Sequence, residues 1–284
     1  MAVLANSREY VRRPGALVPR YGLFNVVQAM GTMVEGVPMP RHAGQSGLEY
    51  ETAVCDLPTC FETDCITTLG TKPVGESSST ITGDPFVVLT SISCGSVGMT
   101  DELLQERLRE RAMAGEQATV ERTFSDGLCG INPSLANSTP PSVALAASAN
   151  VVEAVSILET QLYSQYGLPG VLHIPAAASA YMISAHQMEK DAAGIWRTPM
   201  GTYVSIGNYS GNSVAGAPPA AGTVNIYITG QVSVWRTPEA DVFYTPLRGA
   251  LNRTTNQVNG FREREYIVSY ECFSYATATT LDVV

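Results

Sequence analysis

Residues 100–124 read Thr-Asp-Glu-Leu-Leu-Gln-Glu-Arg-Leu-Arg-Glu-Arg-Ala-Met-Ala-Gly-Glu-Gln-Ala-Thr-Val-Glu-Arg-Thr-Phe, and the rest of the chain is organised around them. Thr100 is an N-cap residue, Asp101 and Glu102 occupy the first turn where the helix dipole favours anions, and no proline follows until Pro133. The stretch is a helix, about 36 Å long if it holds to Phe124 at ~1.5 Å per residue. Its apolar stripe is thin. Leu104, Leu108 and Ala112 share a face, Val120 and Phe124 fall out of phase after Gly115, and the helical period is clearest over 101–114. Such a stripe predicts a helix lying across a surface. Glu106, Arg107, Arg109, Glu110 and Arg111 form one charged tract, suited to water, to itself or to a neighbouring chain.

Working outward, Asp84–Ile92 (Asp-Pro-Phe-Val-Val-Leu-Thr-Ser-Ile) reads as a buried strand that delivers the chain to this helix through Cys94–Gly98. Before it, from about residue 28 to 83, glycine, proline and threonine recur closely with no helical period, and only fragments such as Ile66–Leu69 suggest strand. A structureless excursion of that length is uncommon in a compact monomer. It is better explained as a β-ribbon lying on another molecule. Residues 1–21 are polar, basic and broken by Pro14 and Pro19, an extended arm, followed by the short apolar run Gly22–Val27.

Downstream, Gly127–Ser142 is a loop, and a second helix starts near Asn150. Glu153 completes a capping box, Val151, Val155, Leu158 and Leu162 form a core-width stripe, and Gly167 and Pro169 close the helix. Val171–Ile174 reads as a short buried strand and Ala176–Lys190 as an alanine-rich helix. Val224–Arg236 alternates as one long strand bent at Gly230, and Glu265–Tyr275 is another. The loop Gly207–Gly222 lies between.

At 284 residues and 45% hydrophobic, the chain can bury a sizeable core as one large domain or two interleaved ones. It has no apolar run long enough to span a membrane and no export signal, so a soluble protein made in a cytoplasm is expected. Net charge is −9, yet Arg8, Arg12, Arg13 and Arg20 oppose only Glu9 in the arm, which leaves an acidic body. Tight wrapping of nucleic acid needs dense Lys and Arg, so this body suits enclosing nucleic acid more than gripping it. Without an export signal, the six cysteines are expected as thiols. Cys55, Cys60 and Cys65 match no zinc pattern, and His42, His173 and His186 are scattered, so no metal site is expected.

Catalytic patterns are absent as well: no phosphate-binding Gly-x-x-x-x-Gly-Lys-Ser/Thr, no Gly-x-Ser-x-Gly elbow, no paired-histidine zinc helix and no dinucleotide fingerprint. No enzyme and no cofactor are expected. His173 and His186 read as structural, and a soluble α/β thiol enzyme using Cys94 or Cys129 is the alternative from another class.

The order of the pieces carries a resemblance. Gly83–Gly98, the tract Glu-Gln-Ala-Thr-Val-Glu-Arg-Thr-Phe-Ser-Asp-Gly at 116–127, Gly-Leu-Pro-Gly-Val-Leu-His-Ile-Pro-Ala-Ala-Ala at 167–178 and Arg262–Tyr270 resemble, in that sequence order, the major capsid proteins of tailed bacteriophages with the Hong Kong 97-type fold. The resemblance covers nearly the whole chain. It implies an α+β capsid fold with an N-terminal arm (1–27), an extended β loop (28–83), a peripheral domain (84–145) with a spine helix (100–124), an axial domain (146–230) and a return through the peripheral domain (231–284). It implies self-assembly into hexamers and pentamers of an icosahedral shell around double-stranded DNA, with possible decoration, scaffolding and portal proteins, and no membrane. An encapsulin-like compartment of the same fold is the nearest alternative. Some members of the family join subunits through an isopeptide bond from a loop lysine to an asparagine, assisted by a glutamate. Lys72, Asn256 and Glu263 are the residues here that resemble that set, and the reaction would need a neutral amine as nucleophile and a carboxylate as proton acceptor.

Overall fold

The computed structural model of the chain describes residues 21–35, 47–51, 55, 80–96 and 98–282. The Ile66–Leu69 fragment and nearly all of the arm therefore lie outside the described residues. The first elements are helix α1 (Leu23–Met30) and strands β1 (Met33–Glu35), β2 (Leu48–Glu51), β3 (Thr80–Gly83) and β4 (Pro85–Gly95). Helix α2 (Asp101–Asp126), strand β5 (Val143–Ala144), helix α3 (Val151–Tyr166), strand β6 (Val171–Pro175) and helix α4 (Ala176–Ser184) follow. Then come β7 (Glu189–Lys190), β8 (Trp196–Arg197), β9 (Tyr203–Gly207), β10 (Thr223–Thr229), β11 (Val232–Arg236) and β12 (Phe243–Tyr244). The short helix α5 (Leu247–Ala250) and strands β13 (Leu251–Asn252), β14 (Gln257–Tyr270) and β15 (Ser274–Thr280) complete the chain.

The charged stretch is one unbroken helix. The Thr100 hydroxyl accepts the Leu103 N–H at 3.2 Å, and Gly127, left-handed at φ 64°, ends the helix by donating its N–H to the Thr123 carbonyl. Leu104, Leu108 and Ala112 are buried, as their thin stripe predicts, and the two leucines form a small core with Ala250 and Val258. After Gly115 the helix sinks instead. Val120 and Phe124 enter the main core, and the polar Glu116, Gln117, Glu121 and Thr123 are buried beside them.

Two sheets flank α2. The six-stranded sheet runs β1-β11-β14-β12, with β4 and β13 also on β14; only β1 and β11 pair in parallel. Along β14, Val258, Gly260, Arg262, Arg264 and Tyr266 alternate inward, so one face is covered by α2 and the other carries Phe261, Glu263 and Glu265. The seven-stranded sheet runs β5-β15-β10-β6-β9-β8-β7. Leu172, Ile174, Val204, Val224, Ile226 and Ile228 pack under α3 and α4 on one face, while Val171, Tyr227 and Ala276 face Phe124 and α1 on the other. The main core is thus shared by both sheets.

The connections between the sheets correct the reading of two long strands. Val224–Arg236 is not continuous: β10 belongs to the seven-stranded sheet and β11 to the six-stranded one, with the chain crossing at Gly230. Its antiparallel partner crosses at the same place, between β14 and β15. There the Gly230 N–H donates to the Phe273 carbonyl at 3.1 Å and the Glu271 N–H to the Gln231 carbonyl at 2.8 Å. The alanine-rich helix also stops early, at Ser184, and the chain to Lys190 turns to form β7.

Where it is described, the 28–83 span packs on its own body. Helix α1 extends through its first residues, and β2 and β3 form a two-stranded antiparallel ribbon. The Tyr50 hydroxyl donates to Ser269 Oγ at 2.8 Å and its ring lies 5.0 Å from that of Trp235. Cys55 is disulfide-bonded to Cys272 in the crossing turn, which overturns the expectation that all six cysteines are thiols.

Candidate functional site

The exposed half of α2 and the inward face of β14 meet over a cleft of about 440 Å³ lined by charged side chains. Arg262, only 2% exposed, is held by three polar partners. Its Nη1 donates to Glu116 Oε1 at 3.0 Å, Nη2 to Glu239 Oε2 at 2.9 Å and Nε to the Tyr244 hydroxyl at 3.1 Å. Tyr244 in turn donates to Glu239 at 2.7 Å, and Arg109 reaches the same carboxylate from α2 at 3.2 Å. Arg264 Nε donates to the Thr237 carbonyl at 2.8 Å, and Arg236 pairs with Glu35 of β1. Partial burial pushes the Glu239 carboxyl up, but the Tyr244 hydroxyl and Arg262 outweigh it and hold the group below its ordinary value. This seam fastens α2 to the six-stranded sheet with charge-assisted hydrogen bonds.

One turn along the helix, Glu121 faces the other way. Oε1 accepts the Leu23 N–H at 2.9 Å and the Gln117 amide at 2.9 Å, and Oε2 accepts the Asn208 N–H at 2.8 Å. Leu23 opens α1 and Asn208 directly follows β9, so one carboxylate links α2 to both. The N-terminus of α1 favours an anion there. Burial nonetheless pushes the carboxyl above its ordinary value, against the pull of those donors.

Several sequence candidates are scattered by the fold. Lys72 lies outside the described residues. Asn256 is exposed in the β13–β14 turn, where its carbonyl accepts the Ser96 N–H, whereas Glu263 lies mid-strand opposite Leu89 and Phe243. Seven residues of strand separate them by roughly 23 Å. One chain does not bring this pair together.

Among the described residues, neither thiol candidate has a hydrogen bond to a histidine. Cys129 is exposed, Cys94 borders the small Leu104 core, and the histidine nearest the interior serves neither. His173 is fully buried between the Phe124 and Tyr209 rings, its Nε2 3.0 Å from Thr229 Oγ1, and burial pushes its pKa down to about 3. His186 lies beyond α4, exposed and with φ 51°, not on the helix. Among the described residues no group of three or more His, Cys, Asp or Glu side chains is placed to hold a metal ion, and no helix is long and apolar enough to cross a membrane. The sequence reading missed Glu116, Glu121, Arg262 and Arg264. Arg262 and Arg264 fall at the inward positions of an alternating strand, but nothing local marks Glu116 and Glu121 as buried.

The fold so assembled, a long helix between two sheets with the chain crossing twice between them, is similar to that of solved phage-type capsid chains. The solved structures it matches include the capsid of a native GTA particle, with a TM-score of 0.56 at 11% identity over 98% of this chain and 96% of that one. Chains of Mycobacterium phage Adephagia (TM-score 0.51, 13% identity, 100% and 99% covered) and Mycobacterium phage Cain (0.50, 12%, 100% and 97%) match as well. At these identities the likeness is one of fold. No protein-family model and no curated protein matches the chain.

Proposed function

We propose that this chain is a major capsid protein of tailed-bacteriophage type, with the Hong Kong 97-type organisation, forming hexamers and pentamers of an icosahedral shell that encloses double-stranded DNA. One observation carries the reading: the match to the capsid of a GTA particle covers 98% of this chain and 96% of that one. On this reading residues 1–27 are the arm, 28–83 the extended loop, 84–145 the peripheral domain, 146–230 the axial domain and 231–284 the return. The subunit has no turnover activity, and it is assembled in a host cytoplasm and resides in the virion. Decoration, scaffolding and portal proteins would be its partners.

Electron microscopy of the purified, overexpressed protein tests this. Closed shells of uniform diameter are expected, and shells from infected or induced cells should contain double-stranded DNA. A stable monomer that forms no particle under any assembly condition would overturn it. Shells filled with a protein cargo and no nucleic acid would favour an encapsulin-like compartment instead. Denaturing, reducing electrophoresis of shells is expected to give a monomer band; a ladder that Lys72→Arg and Asn256→Ala each abolish would show that copies join these two residues.

A further inference from the structure

We propose that Glu121 is a joint that fixes the angle between the two sheets and, through it, the curvature at which copies of this chain assemble. The consequence for curvature rests on the shell reading; the joint does not. Three observations support it. Glu121 is 2% exposed and accepts N–H donors from α1, from α2 itself and from the residue after β9, so three elements meet on one carboxylate. The backbone is cleared for it on both sides. A Cβ on Gly22 would lie 2.0 Å from Oε1, and one on Gly207 would lie 2.2 Å from Oε2, so only glycine allows the carboxylate to reach each donor. Finally, the segment after β9 runs beside the last turns of α2: Asn208 Nδ2 donates to the Ala118 carbonyl at 3.1 Å, and the Ser210 N–H to Ser125 Oγ at 3.1 Å. Of the side chains along this seam, Glu121 is the one that also holds α1.

The geometry makes the joint specific for a carboxylate. Both oxygens must accept, because each faces a backbone N–H: that of Leu23 on one side and that of Asn208 on the other. Glutamine would point an amide N–H at either Leu23 or Asn208 and break one link. The charged seam already ties α2 to the six-stranded sheet, so releasing Glu121 loosens the helix on the side of the seven-stranded sheet, where the Asn208–Ala118 and Ser210–Ser125 bonds remain, and unfastens it from α1. The two sheets would then pivot about the paired crossings at Gly230 and Glu271–Phe273.

Two measurements on Glu121→Gln test the joint and its consequence separately. In the unassembled subunit, amide hydrogen exchange at Leu23 and Asn208 is expected to speed up about tenfold or more, as for loss of a charge-assisted bond, while α3 stays protected. Unchanged exchange at both amides overturns the joint, whether or not the wild-type protein forms shells. In assembled material, Glu121→Gln is expected to give shells of shifted or mixed diameter, whereas Leu158→Ala, a core lesion in α3 away from the joint, gives the wild-type diameter. Wild-type diameter for Glu121→Gln, or the same shift for Leu158→Ala, overturns the link to curvature. If Glu121→Gln does not fold, Gly207→Ala, which drives a methyl group into the carboxylate, is judged by the same two readouts. A wild-type protein that makes no particles sinks the shell reading and leaves the joint to the exchange measurement.

Discussion

Arg262 keeps its charge at 2% exposure because each side of its guanidinium has a partner, and removing it would take the nearest cation from the buried Glu116, leaving Arg264 at 3.7 Å. Breaking a buried pair costs more than the pair contributes, since an uncompensated charge stays behind. Arg262→Ala is therefore expected to lower the unfolding free energy by about 3–5 kcal/mol in chemical denaturation. Arg262→Lys should fall between, because it keeps the charge but not the fork that reaches Glu116 and Glu239 together. His173 makes a pH prediction of definite sign. Its folded pKa of about 3 lies below the ordinary 6.5, so between those values the unfolded chain binds a proton that the folded chain excludes. Stability from this residue is whole above pH 6.5 and is lost as pH falls towards 3, with a ceiling of about 1.4 kcal/mol per pH unit. Denaturation midpoints of His173→Gln, measured alongside wild type across that range, should show the flatter acid limb. Parallel curves would mean that the histidine is not kept neutral.

At the level of elements, the Cys55–Cys272 disulfide fastens the loop that contains Cys55 to the crossing between β14 and β15. Closing so long a loop stabilises chiefly by restricting the unfolded chain, so Cys272→Ser, or reduction, is expected to cost about 2–5 kcal/mol. Equal thermal midpoints with and without reductant would show that the link does not form in solution. Nothing in the spacing announces this bond, because its two ends are 217 residues apart. The same distance in sequence separates what could be read from what could not. Helix α3 was legible because its determinants are local: the Asn150 cap accepting the Glu153 N–H, the stripe to Leu162 and the left-handed Gly167. The second half of α2 was not, since Glu116 and Glu121 look like surface residues until Arg262 and Asn208 arrive from 146 and 87 positions away. Strand alternation likewise cannot show that β10 and β11 belong to different sheets, because each half alternates correctly on its own. Alanine content set the start of α4 but not its end, which is decided by β7 pairing with β8.

For the molecule as a whole, charge decides how a shell made of it would treat the DNA inside. The chain carries 17 basic against 26 acidic residues, and six of its arginines are already committed to carboxylates: Arg109, Arg122, Arg197, Arg236, Arg262 and Arg264. Phosphate binding draws on dense Lys and Arg, each of which releases a counterion, and a chain with 26 acidic residues against 17 basic ones is poorly supplied for it. On the proposed shell reading, an acidic wall would repel packed DNA and not adsorb it. The unassembled subunit is accordingly expected to bind duplex DNA no more tightly than a Kd of about 0.1 mM at physiological salt, the weak end of non-specific binding. Fluorescence anisotropy with a labelled duplex, titrated at two salt concentrations, measures both the affinity and its salt slope. Micromolar binding with a steep slope would mean that the basic residues 8–20 grip DNA directly. The shell would then hold its contents by adhesion, and the acidic body could no longer be read as a repelling wall.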